Sequence, residues 1–277
     1  MLGGLVTALL AACGGGLPGH GEVGARTTLP ASLQPWAAFP VHASPRPIVL
    51  VNGPILDPLG GFSDGQSKEA YMGGRFDRPP QLPTGPATSQ GYPVISAGSA
   101  VALLQSPSHR QTPAASTAAT RLTITGARFG KGTFLTDRGW KSMPAWLFSL
   151  GGVDGVVSVL AVAPSAQWLP PGWSPVGNFG RPDIGARIAA DQRTLTLGFT
   201  GAQSEKGPCG ESYSLKLAEL ETAVLVTVIR HHNDSGSVAC TLVGYPRTAS
   251  AVLSSPLGNR VVVEGFSGGV IAATGGS

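Results

Sequence analysis

The sequence predicts a mainly β, α+β fold: an N-terminal α+β part followed by a small all-β, sandwich-like domain. Three observations predict it. Past residue 120, apolar residues alternate with polar ones in stretches such as "TRLTITGARFG" and "RTLTLGFTG", the period of half-buried strands. Gly and Pro, 40 and 24 of 277 residues, break these stretches at short intervals, as strand-joining turns require. Helical periodicity in the body of the chain is confined to two short places before residue 107.

Taken in order, "RPIVLVNG" (46–53) is a short apolar run bounded by Pro and Gly, the pattern of a buried strand. Gln66–Met72 supports one or two helical turns, and "VISAGSAVALLQS" (94–106) supports a helix that Pro107 stops. "TRLTITGARFG" and "GTFLTDRG" then read as a hairpin. "MPAWLFSLGG" and "GVVSVLAVAP" form a second strand pair turned by "GGVDG". "SAQWLPPGWSPVGNFGRPD" (165–183) is rich in Pro, Gly and Trp, as a connection is. Beyond it, "ARIAADQRTLTLGFTG" predicts two strands turned at Asp191–Gln192, and 221–255 a strand, a turn at Asn233–Gly236 and a strand. "PLGNRVVVEGF" predicts a last hairpin with Gly258–Asn259 as its turn.

Composition bounds the function. Apolar residues are 42% of the chain, enough for a core, while charged residues are 12%, about half the usual ~25%. The net charge of +4 is spread over single Arg and Lys residues. Nucleic-acid binders cluster theirs on one face, so that partner class is not expected.

Leu2–Ala12 is apolar but only eleven residues long. A membrane-spanning helix needs ~20, whereas a secretory h-region runs ~7–15. Gly3, Gly4, the glycines 14–16 and Pro18 argue against a core helix. No Lys or Arg precedes Leu10. "LAAC" (Leu10–Cys13) resembles a bacterial lipobox: Leu, two small residues, then Cys. The expectation is cleavage before Cys13 and attachment of a diacylglyceryl group to its thiol, with more than one chain making the anchor stable. The expected organisation is a signal peptide at 1–12, a lipidated Cys13 with a flexible tether over 13–44, an α+β domain at 45–165, a linker at 166–183 and a β domain at 184–277.

Lipidation of Cys13 leaves Cys209 and Cys240. Export exposes both to an oxidising compartment, so a disulfide is expected, with two buried free thiols as the alternative. No CxxC pair or His–Cys cluster suggests zinc.

Several stretches together resemble a group of secreted lipoproteins of Gram-positive actinobacteria: "LAACGGG", "RPIVLVNGPILDPLGGFSDGQSKEAYMGGRF", "GTFLTDRGWKSMPAWLFSL", "PCGESY" with the later Cys240, and "SSPLGNRVVV". The resemblance implies a surface location and a cysteine pair, and transfers no catalytic residue.

Candidate chemistry is sparse. "GFSDG" around Ser63 and "GFSGG" around Ser267 match the nucleophile-elbow pattern. Ser267 has no later His or acid. Ser63 has a strand-like run before it and His109, His231 and His232 after it, so a serine hydrolase using Ser63 is the competing reading. The alternating βα units of that fold are missing downstream. Asp57, Asp64, Glu69 and Asp77 could offer oxygens to Ca²⁺, but match no EF-hand spacing. His231 and His232 are adjacent, so on a strand they face opposite sides and do not share a metal. Trp140, Trp146, Trp168 and Trp173 fall within one stretch, and Trp168 and Trp173 are the candidate binding surface for a cell-wall, peptide or protein partner. No motif asks for a cofactor or a metal. The expected function is a non-catalytic binding or structural role in the envelope, on a protein lipid-anchored at the extracellular face of the cell membrane.

Overall fold

The computed structural model describes residues 30–58, 60–106, 120–171, 184–204, 207, 209–232 and 239–275. Among the described residues the fold is mainly β, with two short α-helices. Cys13, Trp173, His109 and the Asn233–Gly236 turn lie outside the described residues.

The first sheet is built on one long hairpin, β5 (Leu122–Thr136) with β6 (Gly139–Leu150). β7 (Val156–Leu160) pairs with β6, the short β1 (Ile55–Leu56) with β7, and β2 (Phe76–Asp77) runs parallel to the start of β5. β3 (Thr88–Ser89) and β4 (Tyr92–Pro93) form a separate ribbon. The hairpin expected to turn near Gly130–Gly132 does not turn there. The glycines sit within β5, where added Cβ atoms would come 2.8 Å from Leu147 Cδ1 and from Phe134 Cε2. They make room for neighbouring side chains rather than reversing the chain. The reversal comes at Asp137–Arg138, where Gly139 has φ +82° and a Cβ would lie 2.7 Å from Thr274. The run 46–53 forms only single bridges, Ile48 to Gln167 and Leu50 to Thr136, rather than a strand.

Helix α1 (Gly65–Met72) begins where Asp64 accepts the Ser67 N–H at 2.7 Å. Helix α2 (Ala97–Gln105) begins where Ser96 accepts the Ser99 N–H at 3.1 Å. Both are side-chain N-caps. Their apolar sides, Tyr71, Val101 and Leu104 among them, pack on Ile124, Phe148, Val157 and Val159 of the sheet.

The second sheet contains seven strands: β8 (Gly185–Ile188), β9 (Thr194–Gly201), β10 (Glu211–Glu219), β11 (Ala223–His232), β12 (Tyr245–Val252), β13 (Val261–Glu264) and β14 (Val270–Gly275). Their order is β10-β11-β13-β14-β8-β9-β12. This is one sheet curled on itself, not the sandwich expected. Strand twist accumulates across seven strands and brings the two edges, β10 and β12, together. Alternate residues point inward and fill the barrel, among them Ile188, Leu197, Leu217, Val226, Val262 and Ile271. The last hairpin turns at Gly265–Gly269 rather than Gly258–Asn259, and β11 pairs with β10 and β13 rather than with β12.

β11, β13 and β14 read as unbroken apolar runs because both of their faces are covered. Their outer residues Leu225, Val261, Val263 and Val270 meet Leu33, Trp36, Phe39, Val41, Val49 and Val51. Residues 30–44, expected as tether, are therefore packed in a core: Leu33 and Trp36 are fully buried. This arm runs along the barrel from the β13–β14 turn, where Ser32 Oγ donates to Gly265 O and Trp36 Nε1 to Gly268 O, to the opposite end, where Asn259 Nδ2 donates to Val41 O. Residues 166–171 of the expected linker also pack down, with Trp168 N bonded to Ile48 O.

The tip of the β5–β6 hairpin locks the first sheet to the barrel. Ala273 N donates to Asp137 O at 2.9 Å, Arg138 Nη2 donates to Gly258 O and Arg260 O, and the buried Asp137 carboxylate takes two hydrogen bonds from Arg46. One end of the barrel is plugged. Leu253 and Leu257 close the interior, and the buried Arg260 guanidinium donates to Glu219 Oε2 at 2.7 Å and to the carbonyls of Ser255 and Pro256. Among the described residues, no such plug closes the other end, where two cavities lie.

Candidate functional site

At the open end the inward alternation of β10 and β11 continues, but the residues become polar. Glu211, Tyr213, Arg230 and His232 are two apart on each strand, so both pairs face the lumen. The antiparallel register sets Glu211 opposite His232 and Tyr213 opposite Arg230. The Glu211 residue is only 8% exposed. A buried carboxylate requires partners. Tyr213 Oη donates to its Oε2 at 2.7 Å, while His232 Nδ1 lies 3.1 Å and Arg230 Nε 3.5 Å from Oε1. Burial, then the Glu211 carboxylate, pushes the Tyr213 hydroxyl above its ordinary pKa, so it stays a donor at neutral pH.

The same residues close the barrel seam. Arg247 on β12 lies over the Tyr213 ring, 5.4 Å from its centre, and donates from Nη2 to Glu211 O at 3.1 Å. Tyr213 Oη also accepts the Ala202 N–H at 2.7 Å. A Cβ at Gly201 would fall 2.7 Å from that hydroxyl, so only glycine leaves room for it. Beside the seam, a disulfide joins Cys209, two residues before β10, to Cys240, five before β12, with Cα atoms 5.5 Å apart. The edges are thus bridged covalently and by side chains where no backbone ladder joins them.

Two cavities of about 420 and 410 Å³ flank the Glu211–Arg230 pair. The outer is lined by His232 and by 240–245, where Leu242 and Val243 are exposed. The inner enters the lumen between Ile184, Phe199, Val228 and Glu264. The Glu264 carboxylate accepts hydrogen bonds from the N–H groups of Phe266 and Ser267 and from Ser267 Oγ. This end therefore brings together a guanidinium, an imidazole, the Tyr213 and Phe199 rings and the Glu211 and Glu264 carboxylates, with Leu242 and Val243 exposed at its outer side.

The residues singled out in the sequence are dispersed. Ser63 sits before the α1 cap, with its Oγ bonded to Asp64 and Ser67. The described histidines bond elsewhere: His42 to Glu221, His231 to Ser214 and His232 to Glu211. Ser267 is a turn residue. Asp57 accepts from Tyr71 Oη, Asp64 caps α1 and Asp77 pairs with Arg121. Among the described residues no three His, Cys, Asp or Glu side chains gather as a metal site would require. His231 and His232 do face opposite sides of the strand. Trp146 is buried and donates to Ile95 O, Trp140 is exposed, and Trp168 is half-buried edge-on to Phe39 at 5.8 Å. Trp168 is thus part of the packing between the arm and the barrel.

The sequence reading does not group Glu211, Tyr213, Arg230 and His232, because it predicts no strand over 211–219, although Tyr213, Leu215 and Leu217 alternate with Ser and Lys there. No family model, curated protein or solved structure matches the chain. Among the described residues no helix is long and apolar enough to cross a membrane.

Proposed function

We propose that the chain is a lipid-anchored, extracytoplasmic binding protein, held by Cys13, whose ligand sits at the open end of the barrel. The observation that carries this reading is the contrast, among the described residues, between the two ends: one plugged by Arg260, the other with a guanidinium, an imidazole and two cavities. Clefts of a few hundred Å³ with a few convergent polar groups are the usual form of a ligand site. The "LAAC" stretch supports the anchor, and the Cys209–Cys240 bridge suits an oxidising compartment. The reading is of a non-catalytic role, which the engagement of Ser63 Oγ by the Asp64 and Ser67 side chains at the start of α1 supports. Membrane fractionation of cells expressing Cys13→Ala tests the anchor. Release of the variant into the medium is expected, and retention in the membrane fraction contradicts it.

A further inference from the structure

We propose that the open end of the barrel faces the membrane that carries the anchor, and that it engages anionic lipid there. The inference rests on the anchored-binder reading and names its ligand. The packed arm begins at this end, because Ser32 and Trp36 bond to Gly265 and Gly268 of the β13–β14 turn. From Cys13 to Pro30 there are 30 − 13 = 17 residues, a reach of at most about 60 Å. The described chain therefore enters the fold on the open side, with the plugged end at the far end of the arm.

The chemistry of that side fits an interface. Phe266, at the tip of the β13–β14 turn, is 96% exposed, and Leu242 and Val243 project from the segment before β12. Exposed apolar tips sink into the headgroup boundary, and nearby cations add attraction to anionic lipid. Arg230 supplies one, its side chain more than half exposed with Glu211 as its charged partner among the described residues. His232 stands beside it. A lipid phosphate placed against Arg230 from the outer cavity would have His232 beside it and the exposed Leu242 and Val243 around it, with the Glu211 carboxylate competing for the guanidinium and Glu264 on the inner side.

Vesicle co-sedimentation of the full chain carrying Cys13→Ala tests this without the lipid anchor. The leader is common to all variants and cancels between them. Binding to vesicles of equal parts phosphatidylcholine and phosphatidylglycerol is expected to exceed binding to phosphatidylcholine alone by about tenfold. Phe266→Ser with Leu242→Ser is expected to lower binding about tenfold, and Arg230→Gln to abolish the preference for the anionic vesicles while Arg230→Lys keeps it. Unchanged circular dichroism and an intact disulfide verify folding. Equal binding to both vesicle types, or binding indifferent to these substitutions, overturns the proposal. Failure of the anchor itself is seen separately, as membrane retention of Cys13→Ala in cells.

Discussion

Arg230 lies diagonally across the β10–β11 ladder from Glu211, its Nε 3.5 Å from Glu211 Oε1, at the end of the barrel that Arg260 does not plug. The pair stands between two cavities, so its proposed contact with ligand and its closing of the barrel seam are coupled.

Removing the carboxylate charge separates those roles. Glu211→Gln is expected to raise binding to phosphatidylglycerol vesicles at least threefold, because Arg230 and His232 lose their competing anion. It is also expected to lower stability by about 1–3 kcal/mol, because charge-assisted bonds are lost. Co-sedimentation and urea unfolding of one variant report the two effects.

The Tyr213 hydroxyl donates to Glu211 and accepts from Ala202 N. Tyr213→Phe leaves both partners short and is expected to cost about 1–3 kcal/mol. Gly201→Ala places a Cβ 2.7 Å from the same hydroxyl and is expected to cost about the same through overpacking. In the Tyr213→Phe background most of the Gly201→Ala cost is expected to remain, because the added Cβ also lies 2.8 Å from the ring Cζ, which Phe keeps; a double-mutant cycle in urea reads this.

The Cys209–Cys240 bridge closes a separation of 31 residues. Chain entropy gives it about 3–4 kcal/mol. Paired Cys→Ser substitution is expected to lower the unfolding free energy by that amount. Mass spectrometry of the non-reduced protein is expected to find the two cysteines in one linked peptide.

At the plugged end, Glu219 sits in a balance. Burial raises its pKa, but the Ser254 N–H and the Arg260 guanidinium outweigh burial and hold it below the usual carboxylate value. Arg260→Ala strands this carboxylate and opens the plug, and a loss of about 3 kcal/mol is expected in thermal or urea unfolding.

Asp191 gives an acid-stability prediction. The Thr194 hydroxyl, then the N–H groups of Thr194 and Arg193, hold its pKa down from 3.8 to about 2. A pKa lowered in the folded state stabilises above the unfolded value and loses that stabilisation as pH falls through the folded value. The urea midpoint is therefore expected to fall between pH ~4 and ~2, and Asp191→Ala to flatten that slope.

Much of this architecture was legible in the sequence where local physics decided it. α1 and α2 carry their caps in Asp64 and Ser96, and the Asp191–Gln192 turn is set by a side chain that bonds its own backbone two and three residues on. The barrel was not legible, because curling one sheet is decided by pairings such as β14 with β8, far apart in sequence. Gly130 and Gly132 misled for a related reason: their purpose is space for Leu147 and Phe134, which the local sequence does not display. The residues at the open end were visible as "GESY" and "RHH", but they gain meaning only from the register that sets Glu211 opposite His232.

The most direct test of the account is amide hydrogen exchange of the full Cys13→Ala chain with and without phosphatidylglycerol-containing vesicles. The account predicts slowed exchange at 240–245 and 264–269 on the open end and no change at 253–260 on the plugged end. Protection centred on the plugged end, or the same exchange at both ends with and without vesicles, would contradict it.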